Sequence, residues 1–306
     1  MVNWLVIGIG DITRKRVIPA ILAEPRSQLY GVVTRDPRKA EAYPGVRVWT
    51  SLEEALQDDE IHAVYVASPV ALHSPHAIAC LRAGKDVLCE KPVGMNYPEA
   101  RDMVTVAREC RRIIGVSYYR RLYPKLIRAK QLIEEGAIGQ PVLAEANCQT
   151  WLDITGREWL VDPAMSGGGP LYDTGSHRID ALNFLFGRPV KANGMRSNAM
   201  HHLAVEDCAT VMIEYASKVR AVVDVRWNSH VARDQFRVIG TEGEIKLDPL
   251  NGPALLYPGG EEQLPPHANF HYPSIENFVK AVLDGSPLAC PGEEAIWTDW
   301  VTAAVK

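Results

Sequence analysis

The stretch Trp4-Leu5-Val6-Ile7-Gly8-Ile9-Gly10-Asp11-Ile12-Thr13 decides how this chain is read. Four apolar residues predict a short buried strand, two glycines one residue apart predict a tight turn, and a helix is expected to open just beyond. In that setting Gly8 permits the turn and Gly10 lets backbone approach a pyrophosphate. Asp11 and Ile12 then begin a helix whose N-terminus offers free N–H groups and partial positive charge. Thr13 stands where the fingerprint would have its third glycine. A glycine pair alone also fits an ordinary strand–helix turn, so the surroundings must decide.

Working outward, further apolar runs lie at residues 29–33, 63–67, 86–89 and 113–117. They are continuously apolar rather than alternating, as strands covered on both faces should be. Amphipathic patterns at 51–56 and 76–81 separate them, the second stopping at Gly84. This rhythm predicts an α/β fold that begins with a Rossmann domain over residues 1–121, binding a nicotinamide dinucleotide. Beyond it the rhythm changes. A helix at 123–135 gives way to strand patterns at 142–150, 190–197, 208–215, 219–228 and 235–239, joined by turn signals rather than helices. Residues 122–306 are therefore read as an α/β domain with a large open, mostly antiparallel sheet. Helices are expected at 171–186, 274–283 and 294–305, and the Gly- and Pro-rich segment 251–266 reads as a surface loop.

Composition narrows the classes. The 306 residues are 47% hydrophobic and 23% charged, with a formal net charge of −4. That balance gives no electrostatic support for a nucleic-acid partner. No apolar run reaches membrane-spanning length and the start lacks a signal-peptide pattern, so the expected address is cytoplasmic. Cys80, Cys89, Cys110, Cys148, Cys208 and Cys290 form neither a Cys-x-x-Cys pair nor a zinc spacing with histidine. Free thiols and no metal site are expected.

Cofactor choice turns on Thr34-Arg35-Asp36, where the second run ends. An NAD-selective domain commonly places a carboxylate there to bind the ribose hydroxyls. Thr34, Arg35 and the nearby Arg38 instead suit a 2′-phosphate, which favours NADP over NAD. Asp36 is the competing ribose ligand if the strand runs two residues further. Arg14, Lys15 and Arg16 oppose the dipole of the first helix; either a bound phosphate or plain solvation accounts for them.

Two later stretches carry acid–base chemistry. Glu90-Lys91-Pro92 closes the run at 86–89, at the strand end where open α/β sheets hold ligands. A lysine there can serve as a proton donor; a salt-bridged surface turn is the plainer reading. The second stretch, residues 166–180, begins Ser166-Gly167-Gly168-Gly169-Pro170 and places Asp173, His177 and Asp180 on one helix face. Its glycines would let backbone pass close to a ligand. A carboxylate and an imidazole one turn apart suit acid–base work. A metal site lacks further ligands nearby, and an ordinary polar face does not explain the glycines.

These markers, with Ser68-Pro69, His73, Arg121, Pro124 and residues 136–139 and 276–278, resemble the family of glucose–fructose oxidoreductase and inositol dehydrogenase over nearly the whole chain. The resemblance implies that Lys91 and His177 handle a substrate proton while hydride moves to or from the nicotinamide. Asp173 would orient the substrate or His177. Ser68, Pro69, His73, Glu90 and Arg121 would lie along the cofactor, and the peptide before Pro92 would be cis. It also implies a homo-oligomer, dimer or tetramer, formed through the second sheet. Val70 stands where the family often has asparagine, which removes a polar cofactor contact. The expected activity is NADP-preferring oxidation or reduction between a secondary alcohol and a ketone on a sugar or polyol. Two alternatives stay open: a glycosidase of the same fold working by transient oxidation, and a non-catalytic NADP-binding regulator.

Overall fold

The computed structural model describes residues 1–306, which form two units: Met1–Tyr119 with His267–Ile296, and Arg120–Pro266 with Trp297–Lys306. In the first, the apolar runs become strands β1 (Val2–Ile7), β2 (Ser27–Val33), β3 (Arg47–Trp49), β4 (Ala63–Val66), β5 (Asp86–Cys89) and β6 (Ile114–Val116). All pair in parallel, in the order β3-β2-β1-β4-β5-β6. This is the Rossmann order, with its switch point between β1 and β4. The period of two sorts the side chains: Leu5, Ile7, Val64, Val66 and Val87 enter one core, and Trp4, Val6, Tyr65 and Leu88 the other.

Helices α1 (Ile18–Ala23), α2 (Leu52–Ala55), α3 (His73–Arg82) and α4 (Tyr97–Cys110) belong to the same unit. Neither β3 nor α4 was among the expected elements. A local signal for α4 exists: Asn96 caps it by accepting from the Glu99 N–H, and the Glu99 carboxylate accepts from the Asn96 amide.

The second unit holds α5 (Pro124–Glu134), α6 (Pro163–Ser166) and α7 (Ser176–Phe186). Its strands are β7 (Pro141–Trp151), β8 (Pro189–Ser197), β9 (Cys208–Tyr215), β10 (Arg220–Arg226), β11 (Asn228–Gly240), β12 (Glu244–Lys246), β13 (Ala254–Tyr257) and β14 (Gly260–Gln263). They form one sheet ordered β14-β13-β12-β11-β7-β10-β9-β8, antiparallel except where β7 meets β10. The segment 251–266, expected as a loop, contains the β13–β14 hairpin, because Leu255 has a fully buried place to go. Lys125, buried on α5, secures this region by donating to the carbonyls of Leu247, Pro249 and Ala254 at 3.3, 2.6 and 3.2 Å. Burial pulls its amine down to about 8, against the pull of Asp234 and Asp248.

Two helices close the chain, α8 (Tyr272–Asp284) and α9 (Gly292–Ala303). The sequence reading placed everything after residue 121 in one domain. Instead α8 returns to the first unit, burying Ile275, Phe278 and Val279 in the Trp4 core, with the Trp4 and Phe278 rings 5.3 Å apart. Its apolar stripe was legible, but nothing local says which sheet that stripe covers. All six cysteines are free thiols, and no helix is long and apolar enough to cross a membrane.

Candidate active site

In the first unit, every candidate residue follows the carboxyl end of a parallel strand. After β1, Gly8 has φ +92°, and a Cβ there would lie 2.8 Å from the Ala67 carbonyl oxygen that follows β4. Only glycine fits, and the close approach lies at the switch point itself. Nothing stands within 4 Å of a Cβ built on Gly10. This open space over a turn and a helix start is a cradle a pyrophosphate fits. Thr13 replaces the third glycine by closing the loop on itself: its hydroxyl accepts from the Gly10 N–H at 2.8 Å and donates to the Gly10 carbonyl at 3.0 Å.

Asp11 and Ile12 are exposed on the first turn, and Asp11 meets Lys15 at 2.9 Å and Arg14 at 3.7 Å. Arg16 turns away, donating to the Ala268 carbonyl and lying 4.4 Å over the Phe270 ring. The basic cluster therefore has partners within the chain, and a bound phosphate is not needed to explain it. After β2, Thr34 is buried and its hydroxyl accepts from the Asp36 N–H at 3.2 Å. Arg35 is exposed. Arg38 grips Asp36 through two bonds of 2.9 and 3.1 Å, and that contact, ahead of opposing burial, holds the Asp36 carboxyl below its ordinary range.

After β4, His73 is buried at the start of α3, one ring nitrogen 2.9 Å from the Ser68 carbonyl and the other 2.9 Å from the Pro92 carbonyl. It thus ties the Ser68-Pro69 turn to the loop after β5, where the Lys91–Pro92 peptide is cis. Burial pushes the His73 imidazole down, although both carbonyls and Glu90 favour its charged form. Glu90, also buried, accepts from the Tyr65 hydroxyl at 2.6 Å, from His271 Nε2 at 3.3 Å and from the Lys91 N–H at 3.2 Å. Burial alone would raise its carboxyl; the His271 and Tyr65 bonds and Lys91 outweigh that and hold it below the ordinary value.

In the second unit, Asp173 lies in a π-helical turn, Leu171–Gly175, and His177 in the first turn of α7, where it is buried. The other π turn, Thr13–Val17, opens the dinucleotide helix. Wide turns of this kind often mark functional positions. Nearly all of α7 is buried, so its polar residues must be paired. Arg178 bonds Asp234 at 2.7 Å, and Asn183 accepts from the Tyr215 hydroxyl at 3.0 Å. Asp180, grouped with Asp173 and His177 by spacing, binds Arg121 instead, through contacts of 2.8 to 3.1 Å with both side chains about 1% exposed. Arg121, expected along the cofactor, is therefore a buried partner of α7.

The glycine run also differs from its expected role. A Cβ on Gly169 would sit 1.9 Å from the Glu206 carbonyl oxygen, and one on Gly168 2.3 Å from the Tyr172 ring. The chain's own backbone and ring, not a ligand, demand glycine there. The Glu206 carboxylate accepts from the N–H groups of Gly169 and Leu171 at 2.9 and 3.3 Å. Burial raises its carboxyl in spite of these bonds.

Sequence reasoning missed Tyr65, Glu206 and His271. A tyrosine inside the apolar run at 63–67 was a usable signal, since a buried hydroxyl requires a partner. His271, 181 positions from Glu90, carried none.

Residues 2–118 match the model of an oxidoreductase family with an NAD-binding Rossmann fold, and residues 126–246 match the GFO/IDH/MocA C-terminal domain. A 1,5-anhydro-D-fructose reductase from Ensifer adhaerens is 30% identical over 97% of this chain and 93% of its own. A D-xylose 1-dehydrogenase [NADP(+)] from Haloarcula marismortui is 27% identical over 81% of this chain and 72% of its own. The solved structure of GenD2 from gentamicin A biosynthesis, in complex with NAD, is 28% identical, with a TM-score of 0.85 over 99% of this chain and 93% of its own. The chain belongs to the GFO/IDH/MocA oxidoreductase family, and its first unit is that family's NAD(P)-binding Rossmann fold.

Proposed function

We propose that this member of the GFO/IDH/MocA family interconverts a secondary alcohol and a ketone on a sugar, polyol or related ring compound, using NADP in preference to NAD. The observation that carries the reading is the Glu90-Lys91-Pro92 loop: a lysine at the carboxyl rim of a dinucleotide-binding sheet, its peptide N–H held by a buried carboxylate. The relatives named as a sugar reductase and a sugar dehydrogenase support the substrate class. A bound nicotinamide supplies the acceptor or donor of the hydride. In oxidation, the substrate hydroxyl gives its proton to the Lys91 amine or to His177 as the C–H electron pair departs; in reduction the same group returns the proton to the oxygen. Asp173 orients the substrate or His177. A pyrophosphate would be held over Gly10, where a Cβ meets nothing within 4 Å, and by the N–H groups at the start of the helix that begins at Asp11.

A panel of sugars and polyols, followed by net change in nicotinamide absorbance, tests the activity. Glycoside cleavage without net change, or cofactor binding without turnover on every compound, overturns it. The NADP preference rests on Thr34 at the end of β2 and on the exposed Arg35. Arg38 contributes less, because Asp36 already holds it. Replacing Arg35 by alanine is expected to weaken NADPH binding about tenfold and to leave NADH within about threefold. Equal losses for both cofactors, measured by calorimetry, would sink the preference.

The same reading includes a homo-oligomer formed through the second sheet. On its open face Met212 pairs in register with the exposed Val222, and Met195 is 79% exposed. Apolar strand positions left in water favour association. Sedimentation as a monomer alone at micromolar concentration rejects it.

A further inference from the structure

The segment leading into α8 is stitched to the Rossmann unit at three levels. Asn269 donates to the Arg16 carbonyl at 2.8 Å, Arg16 donates to the Ala268 carbonyl, and the Phe270 ring lies 4.7 Å from Tyr119. The His271 ring follows, 4.7 Å from Tyr119 and 5.2 Å from Phe270, and is about 1% exposed. Its Nε2 reaches Glu90 Oε1, while its Nδ1 is buried with no hydrogen-bond partner. Leaving a buried polar atom unpaired costs about 1–3 kcal/mol. The ring therefore does not serve to satisfy its own polar atoms; its one polar ring contact is the carboxylate beside Lys91.

We propose that His271 is a positioning residue for Lys91, acting through Glu90: it fixes the carboxylate whose other oxygen holds the Lys91 N–H. This rests on the reading of Lys91 as the proton-handling group. The groups facing Glu90 are Tyr65 from β4, His73 from α3, Lys91 and His271, with Ser117 after β6 reaching it through the Tyr65 hydroxyl at 3.0 Å. As a carboxylate, Glu90 can accept from Tyr65, His271 and Lys91 together. Once protonated it must itself donate, and one of those acceptor sites is lost. Loss of the His271 donor removes the largest contact opposing the effect of burial, so Glu90 takes up its proton at a higher pH and the Lys91 peptide loses its anchor.

The test compares His271→Phe, which keeps a ring and removes the donor, with His271→Gln, which keeps a donor. The first readout is an infrared titration of the protonated carboxyl band, assigned as the band missing in Glu90→Gln. The band is expected to appear about one pH unit higher in His271→Phe than in the wild type, and His271→Gln should move it back. The second readout is turnover. Relative to the wild type at the same pH, His271→Phe is expected to lose turnover most on the acid side, around and below the pH at which its own carboxyl band appears, and less than about threefold near pH 8. Melting curves establish that both variants are folded. A carboxyl that titrates at the same pH in wild type and His271→Phe overturns the proposal whatever Lys91 does, as does His271→Gln behaving like His271→Phe. Unimpaired turnover in Lys91→Ala overturns the reading of Lys91 and, with it, the purpose assigned to His271.

Discussion

Lys91→Ala is expected to lower kcat by about 10²–10⁴-fold, the range a positioned proton donor supplies. The Kd of either nicotinamide cofactor should change by less than about threefold. The substitution is clean because the Glu90 contact is to the Lys91 peptide N–H, which alanine retains. Lys91→Arg should not restore turnover, since a guanidinium keeps its charge and does not hand over a proton near neutrality. His177 calls for a different control. Its ring is buried in the first turn of α7, so alanine would open a cavity as well as remove an acid–base group. His177→Gln fills more of that space and is the fairer test of chemistry. Steady-state rates of Lys91→Ala and His177→Gln, set beside their melting temperatures, settle the assignment. Near-normal turnover in both removes the proposed acid–base pair.

Arg121→Ala is expected to destabilise the second unit by about 3–5 kcal/mol. Both partners of the Arg121–Asp180 pair are about 1% exposed, so alanine at 121 leaves a carboxylate facing the interior without its guanidinium. In a unit of this size each kcal/mol moves the melting point by about 2–4 °C, which makes a drop of roughly 10 °C the expected reading. Asp180→Asn should fall between wild type and Arg121→Ala, because the amide keeps one acceptor oxygen. The double replacement Arg121→Met with Asp180→Leu should recover most of the loss, since swapping both charges for apolar groups removes the desolvation cost together with the attraction. If the double variant is as unstable as Arg121→Ala, the pair is held by geometry rather than by charge balance. If Arg121→Ala melts like the wild type, the pair contributes nothing.

Much of the first unit was written locally. Continuous apolar runs such as 63–67 require cover on both faces, and the spacing of Gly8 and Gly10 after one of them set the nucleotide-binding turn. Glu90-Lys91-Pro92 was found by its place after a strand, since loops at the carboxyl ends of parallel strands share one rim. The glycine run at 167–169 was legible as a backbone constraint, but its cause was misplaced. Steric demand by Glu206 and demand by a ligand leave the same residue in the sequence.

By itself, then, the sequence determined the Rossmann unit, the mostly antiparallel sheet after it and the short motifs that bear chemistry. Those depend on periodicity and on turns, which act over a few residues. Only the tertiary structure decided that α8 returns to the first unit, that Arg121 binds Asp180, and that His271 reaches Glu90. Hydrophobic patterning specifies which positions leave water, not which partner they meet. A buried polar group must find a partner, yet that partner can lie 59 or 181 residues away, and only packing selects it.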